Sequence, residues 1–312
     1  MMLCIGLLSS CDNEDLKVDV PVVPPTEQPG ETETPSASPS TDDLIRVKVN
    51  NDVVAIVGGN FWEAIAYGNG KYVAVGRYSY VTSSSDGVSW SNPKQVGKNH
   101  YHSVVYGNGK FVAVGNSIAS SSDGENWTES VQIGSSNDVW EGITYADGKF
   151  VVVGISHIMS SNDGENWGEL KQVGDKAWQG VAYGDGKFVA VGAYGYITTS
   201  ADGINWNTPK KVNGGKTNIW KAVVYGNGRF VAVGWDGCIT SSTDGINWET
   251  PKQIGNKVWY SVIYENEMFV SVGSGGVTTS SDGVNWSEPT QLKDELGNVI
   301  DKAVYVVHPV ID

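Results

Sequence analysis

One ten-residue phrase recurs along this chain and restricts what it can fold into. Tyr67-Gly-Asn-Gly-Lys-Tyr-Val-Ala-Val-Gly76 returns at Tyr106, Tyr145, Tyr183, Tyr225 and Tyr264. A second phrase, Ser84-Ser85-Asp86-Gly87-Val88-Ser89-Trp90, returns with its aspartate at Asp123, Asp163, Asp202, Asp244 and Asp282, at spacings of 37, 40, 39, 42 and 38 residues. Repetition at a fixed period signals one supersecondary unit that cannot bury its apolar faces alone and must stack on its neighbours. A unit of this length fits the four short strands of one β-propeller blade.

Within the copy at 220–254, strand a falls at 220–225, strand b at 229–234 and strand c at 238–242, with strand d from 246 onward. Asn-Gly and Asp-Gly pairs mark the turns, because their central positions accept positive φ. The 39 glycines, 12 Trp and 14 Tyr agree with an all-β chain rich in turns, and no long stretch has helical period. Six copies run over 62–292. The flanks look like parts of another copy: 45–58 reads as strands c and d, Lys302-Ala303-Val304-Tyr305 echoes Lys221-Ala222-Val223-Val224 at the start of strand a, and 309–312 would supply strand b. The expectation is an all-β propeller of four-stranded antiparallel blades. Seven blades, the last closed by both termini, would leave no bare sheet edge at the seam, and six is the alternative.

In the Ser-x-Asp-Gly-x-x-Trp phrase the aspartates Asp86, Asp123, Asp163, Asp202, Asp244 and Asp282 can accept bonds from the N–H groups that follow them, while Gly takes the left-handed position. Trp90, Trp127, Trp167, Trp206, Trp248 and Trp286 then plug between sheets as core. Each contributes about 4 to 6 kcal/mol if about 150–250 Å² is buried. The phrase resembles the Asp-box, or BNR repeat, of propellers in sialidases and in many non-enzymatic secreted proteins. The usual pattern has one residue between Asp and Gly, which are adjacent in all six copies here. The resemblance covers 62–292 and implies the fold; activity belongs to sites rather than folds. These aspartates are read as structural, with calcium binding or catalysis as the alternative.

The N-terminal run Leu8-Ser9-Ser10-Cys11 follows a short apolar stretch, precedes Asp12-Asn13-Glu14-Asp15, and resembles a bacterial lipoprotein signal, although no basic residue stands before the apolar stretch. The resemblance implies a signal over 1–10 and a lipid on Cys11. Such a protein would sit outside the cytoplasm in the bacterial cell envelope, touching the membrane through that lipid alone. Residues 11–44 are rich in Pro, Ser, Thr and acids, nine acids standing against Lys17, and read as a disordered spacer before a folded part at 45–312. About −6 of the net charge of −14 is left on the folded part, which argues against nucleic acid or anionic lipid as partner. Cys238 is the one cysteine of the folded part and reads as a small core residue.

Variation between copies points to a binding face. In a propeller, strand a lines the central channel; the d–a and b–c loops share one face, and the a–b and Asp-Gly turns share the other. The turns hardly change among copies, whereas the b–c loops carry Arg77-Tyr78, Asn116-Ser117, Ser156-His157, Tyr194, Trp235-Asp236 and Ser274. Strand a opens with Trp62, Tyr101, Trp140, Trp178, Trp220 and Trp259, each followed by a residue of a different kind: Glu63, His102, Glu141, Gln179, Lys221 and Tyr260. Aromatic platforms beside hydrogen-bonding groups suit sugar rings. The expected site therefore comprises the six strand-a aromatics with Arg77, Tyr78, His157, Tyr194, Trp235 and Asp236, recognising a glycan or a protein outside the cytoplasm. Inter-blade packing is the alternative for the aromatic ring.

An enzyme is the competing class. Sialidases clamp the substrate carboxylate with three arginines, but this chain has only Arg46, Arg77 and Arg229, and Arg229 lies in an a–b turn on the opposite face. Another glycoside hydrolase, or a lyase, would need two carboxylates about 5 to 10 Å apart across a pocket. Glu63, Glu141 and Asp236 are candidates that nothing in the sequence brings together. His100, His102, His157 and His308 lack zinc-ligand spacing, and no glycine-rich loop opens a helix. No metal or other cofactor is expected, nor a nucleic-acid partner, and the chain reads as a monomer. A scaffold that assembles proteins without a small ligand is the third possibility.

Overall fold

The computed structural model describes residues 39–49, 54–59, 61–135, 138–212, 219–274, 276–300 and 304–310. The signal-like segment, Cys11 and the spacer as far as residue 38 lie outside these residues, as do 301–303 and 311–312.

Each copy folds into an antiparallel meander. In the fifth copy Trp220–Gly226, Arg229–Gly234, Cys238–Ser242 and Lys252–Gln253 pair in chain order. The a–b turn puts Asn227 and Gly228 at φ 47° and 71°, the left-handed pair that a type I′ hairpin requires. Strand d begins at Lys252, six residues later than the sequence suggests, because Ser-x-Asp-Gly forms a capped loop rather than a two-residue hairpin. Ser242 Oγ accepts the Gly245 N–H at 2.9 Å, and Asp244 Oδ1 accepts the N–H groups of Ile246 and Asn247 at 2.8 and 2.7 Å. The Asn247 side-chain amide donates to Oδ2 at 2.8 Å. Bonds from Asn247 hold the Asp244 carboxyl well below the usual range. Asp123, Asp163, Asp202 and Asp282 repeat the arrangement; Asp86 does so without the side-chain amide, since Ser89 stands where the others have Asn.

The core lies between blades. One cluster joins Val189, Val191 and Ile197 of the fourth copy to Trp220, Phe230 and Ala232 of the fifth, and equivalent clusters follow around the molecule. Contact is close enough to require glycine: a β-carbon at Gly184 would lie 2.0 Å from the Tyr225 ring of the next copy. Trp90, Trp127, Trp167, Trp206, Trp248 and Trp286, expected as core, are only half-buried. Each leans on the open end of an inter-blade cluster from a solvent-facing loop.

Two features break the repeat. In the third copy Lys149–Ser161 continues through strands b and c, and Lys171–Gly184 continues from its strand d into strand a of the fourth. The outermost strands of the first, fourth and fifth copies are Lys94–Gln95, Lys210–Lys211 and Lys252–Gln253, exposed, two residues long and lysine-bearing, which blunts the sheet edge against further pairing.

Both ends of the chain contribute to one further sheet, ordered Leu44–Lys48, Val54–Gly59, Val304–Pro309. Val304–Pro309 is innermost and lies against Trp62–Gly68 on one side and Trp259–Glu265 on the other. Val54–Gly59 therefore takes the place of strand b and Leu44–Lys48 that of strand c, not c and d. The reason lies in its two apolar faces. Ala55 and Val57 enter the cluster shared with the sixth copy, while Ile56 enters the cluster shared with the first. Burial on both faces belongs to a strand in mid-sheet, whereas the two-residue d strands of the first, fourth and fifth copies are polar and exposed.

Candidate functional site

The two ends of the strands carry different chemistry. At one end the a–b turns of the first and second copies reach the Asp-Gly loop of the next copy: Lys71 pairs with Glu125, Lys110 with Glu165 at 2.6 Å, and the Asn108 amide donates to the Asn162 carbonyl at 3.2 Å. At the other end the b–c loops bond to the residue before strand a. Arg77 N donates to Phe61 O at 3.1 Å, Trp235 N to Ile219 O at 3.0 Å and Ser274 N to Val258 O at 3.1 Å. The b–c and d–a loops thus share the variable face.

On that face every innermost strand begins with a bulge. Pairing slips between Trp62 and Ala64, and likewise in each later copy, so that Glu63, His102, Glu141, Gln179, Lys221 and Tyr260 have no partner across the ladder. The sheet built from both ends does the same: Gly59 pairs with Val304 and Gly58 with Val306, leaving Tyr305 as the bulged residue. A bulge re-aims a side chain. Six of these seven side chains meet in pairs from strand to strand: His102 Nδ1 lies 2.6 Å from Glu63 Oε2, Lys221 Nζ donates to Gln179 Oε1 at 2.7 Å, and the Tyr260 and Tyr305 ring centroids are 4.8 Å apart. Together the seven form the mouth of the channel.

The same bulge disposes of the aromatic platform. Trp62, Tyr101, Trp140, Trp178, Trp220 and Trp259, expected to face a ligand, are buried to within 2 % of complete exclusion from solvent. Turning the following residue toward the channel leaves each aromatic on the inter-blade side. They are core, and the alternative reading of that ring is the correct one.

The remaining sequence-derived residues do lie on the variable face. Arg77 is exposed, with Nε 3.4 Å from Glu63 Oε1. The Tyr78 ring is 5.2 Å from that of His100, and Lys176 Nζ sits 5.7 Å from the centre of the Tyr194 ring. His157 Nδ1 is 3.1 Å from Asp138 Oδ1, Trp235 is half-buried, and Asp236 is exposed. Three b–c loops share one short turn in which Tyr78, Tyr194 and Asp236 sit at φ 55°, 56° and 55°. A non-glycine residue costs about 1–2 kcal/mol in this region. Such strain gathers where ligands are held.

Charge at the mouth is tightly coupled. Burial alone would push the His102 imidazole down, but the charge and hydrogen bond of Glu63 carry it up to about 9. Burial works to raise Glu63, and His102, Arg77 and His100 outweigh it, so its carboxyl stays below the usual range. Burial lowers Lys221 against the pull of Glu141 and Glu63. The stability that His102 contributes is complete below its ordinary 6.5 and is lost as pH rises through about 9. The contribution of Glu63 is present above its ordinary 4.5 and is lost as pH falls through its lowered folded value. His100, held low by burial, acts only on the acid side of 6.5. Thermal melts should therefore fall between pH 7 and 9.5 in the parent chain by about 3 °C or more relative to His102→Gln, the lowered Lys221 working the other way in both. Parallel profiles for the two proteins would show that the pair does not form.

Shallow grooves also run between blades at the rim, one bounded by Ile197, Thr199 and Lys210 of the fourth copy and by Ile246 and Trp248 of the fifth. None of the mouth residues lines them.

No family model matches the chain, and no curated protein matches it. Solved structures do. A YCF48 bound to D1 peptide is 17% identical with a TM-score of 0.59, the match covering 82% of this chain and 88% of that one. YCF48 from Cyanidioschyzon merolae is 15% identical with a TM-score of 0.55, covering 81% and 89%. The WD40 β-propeller domain of Doa1 is 14% identical with a TM-score of 0.58, covering 79% and 93%. At these identities the likeness shows the fold alone, a β-propeller.

Proposed function

We propose that this chain is a non-enzymatic, protein-binding propeller, held outside the cytoplasm by a lipid on Cys11, that receives a segment of its partner across the channel mouth. The observation that carries this reading is the contrast between the two faces. One repeats the same turns and Asp-Gly loops from copy to copy, as packing requires. The other presents seven bulged side chains of mixed kind, and beside them Tyr78 and Tyr194 in a backbone conformation that glycine would adopt more cheaply. The propeller with D1 peptide bound supports a peptide as the ligand. Both oxygens of Glu63 are engaged, one by His102 and one by Arg77, which takes away a carboxylate that a hydrolase pair would need. The strand-a aromatics are buried and so cannot serve as the platform for a sugar chain.

Selection of a displayed nonapeptide library on the purified Cys11→Ser chain tests this. Peptides recovered should bind Tyr194→Gly at least about tenfold more weakly, a loss of about 1.4 kcal/mol. That variant should melt within about 2–4 °C of the parent, because relief of about 1–2 kcal/mol of strain offsets about 0.5–1 kcal/mol of glycine entropy. Undiminished binding by Tyr194→Gly, or a library that yields no peptide, would sink the reading, and a Tyr194-dependent signal on a glycan array would then point to a sugar instead.

A further inference from the structure

The seven side chains at the channel mouth sort into three neighbouring pairs and one that stands apart. Glu63 takes His102, Gln179 takes Lys221, and Tyr260 packs on Tyr305. Glu141, of the third copy, makes neither hydrogen bond nor ion pair among the described residues, although its charge acts on both His102 and Lys221. The innermost strands neighbour one another in sequence order, with Val304–Pro309 between those of the sixth and first copies. In that circuit the position opposite the third copy lies between the sixth and the last, which is where Tyr260 and Tyr305 stand. A carboxylate with no hydrogen bond or ion pair of its own among the described residues, felt by His102 and Lys221 only through its charge, therefore stands on the strand opposite two adjoining aromatic rings.

That combination is what recognises an organic cation: the carboxylate supplies the charge, and the ring faces attract the same group and its apolar stem. The net charge of about −6 on the folded part favours the approach of a basic segment. We propose that the channel mouth receives one lysine or arginine side chain of the partner, with its charge on Glu141 and its stem beside Tyr260 and Tyr305. The inference rests on the protein-binding reading and specifies which residue of the partner matters most. Lys221 opposes the incoming cation, and its bond to Gln179 leaves the carboxylate of Glu141 open.

The peptides recovered from the nonapeptide library provide the test, with binding measured by fluorescence anisotropy on the purified chain. They should carry Lys or Arg at one fixed position, and norleucine there should weaken binding at least about thirtyfold. Glu141→Gln, close in shape and checked by its melting curve, should lose about tenfold or more. Lys221→Gln should gain about threefold or more, a direction that damage to the fold would not give. Peptides without a fixed basic residue, or undiminished binding by Glu141→Gln, would overturn this proposal and leave protein binding at the mouth standing. Recovery of no peptide at all would overturn both.

Discussion

A chain stopped after Ile300 should lose its cooperative fold. Val304, Val306 and Val307 are buried, and they belong to clusters on both sides of the innermost strand. Three buried valines at about 1.5–3 kcal/mol each amount to roughly 5–9 kcal/mol, against a total stability of about 5–15 kcal/mol for a domain. The truncation also bares one edge of Val54–Gly59 and the sides of the first and sixth copies, an invitation to aggregation. Thermal melting followed by circular dichroism should show a non-cooperative transition, or one lowered by about 15 °C or more. An unchanged, cooperative melt would mean that the six copies stand without the sheet built from both chain ends.

The second large effect separates two sets of tryptophans that look alike in the sequence. Trp178 is fully buried and its indole N–H donates to Val173 O at 3.1 Å; Trp206, in the Asp-Gly loop of the same copy, is half-buried. Trp178→Ala should cost about 3–5 kcal/mol, the range for a buried aromatic cut back to alanine, and lower the melting temperature by about 10 °C or more. Trp206→Ala should cost about 1–2 kcal/mol, in proportion to its smaller buried area. Urea midpoints would give both values on one scale. A larger loss at Trp206 would reverse the assignment of the core.

The fold was largely legible because its turns are written in residues with particular backbone freedom. Asn227-Gly228 and its counterparts fix the a–b hairpins, and the Asp-Gly period counts the copies. Which aromatic of each copy is buried was not legible. Trp and Tyr suit a core and a ligand platform equally well, and the deciding feature is the bulge after the first residue of strand a, which changes which side the next residue faces. Tyr305 was hidden for a related reason. The echo of Lys221-Ala222 in Lys302-Ala303 sets the last strand three residues out of register, whereas the pairing of Gly58 and Gly59 puts Tyr305 in the place of Lys221. Strand d was misplaced at its start because Asp-Gly also reads as a two-residue hairpin. Only the hydrogen bonds of Asp244 reveal a longer capped loop. The variable residues after each aromatic were visible as a set, but their pairing into Glu63–His102 and Gln179–Lys221, with Glu141 apart, depends on distances between blades.

Amide hydrogen exchange, with and without a recovered peptide, tests most directly whether the partner lies across the channel mouth. Protection is predicted at 61–63, 77–80, 139–141, 193–195 and 259–260, where the b–c loops and bulged strand starts meet. Protection confined to the Asp-Gly loops at 86–90, 123–127, 202–206 and 244–248 would place the partner on the repetitive face and contradict the account.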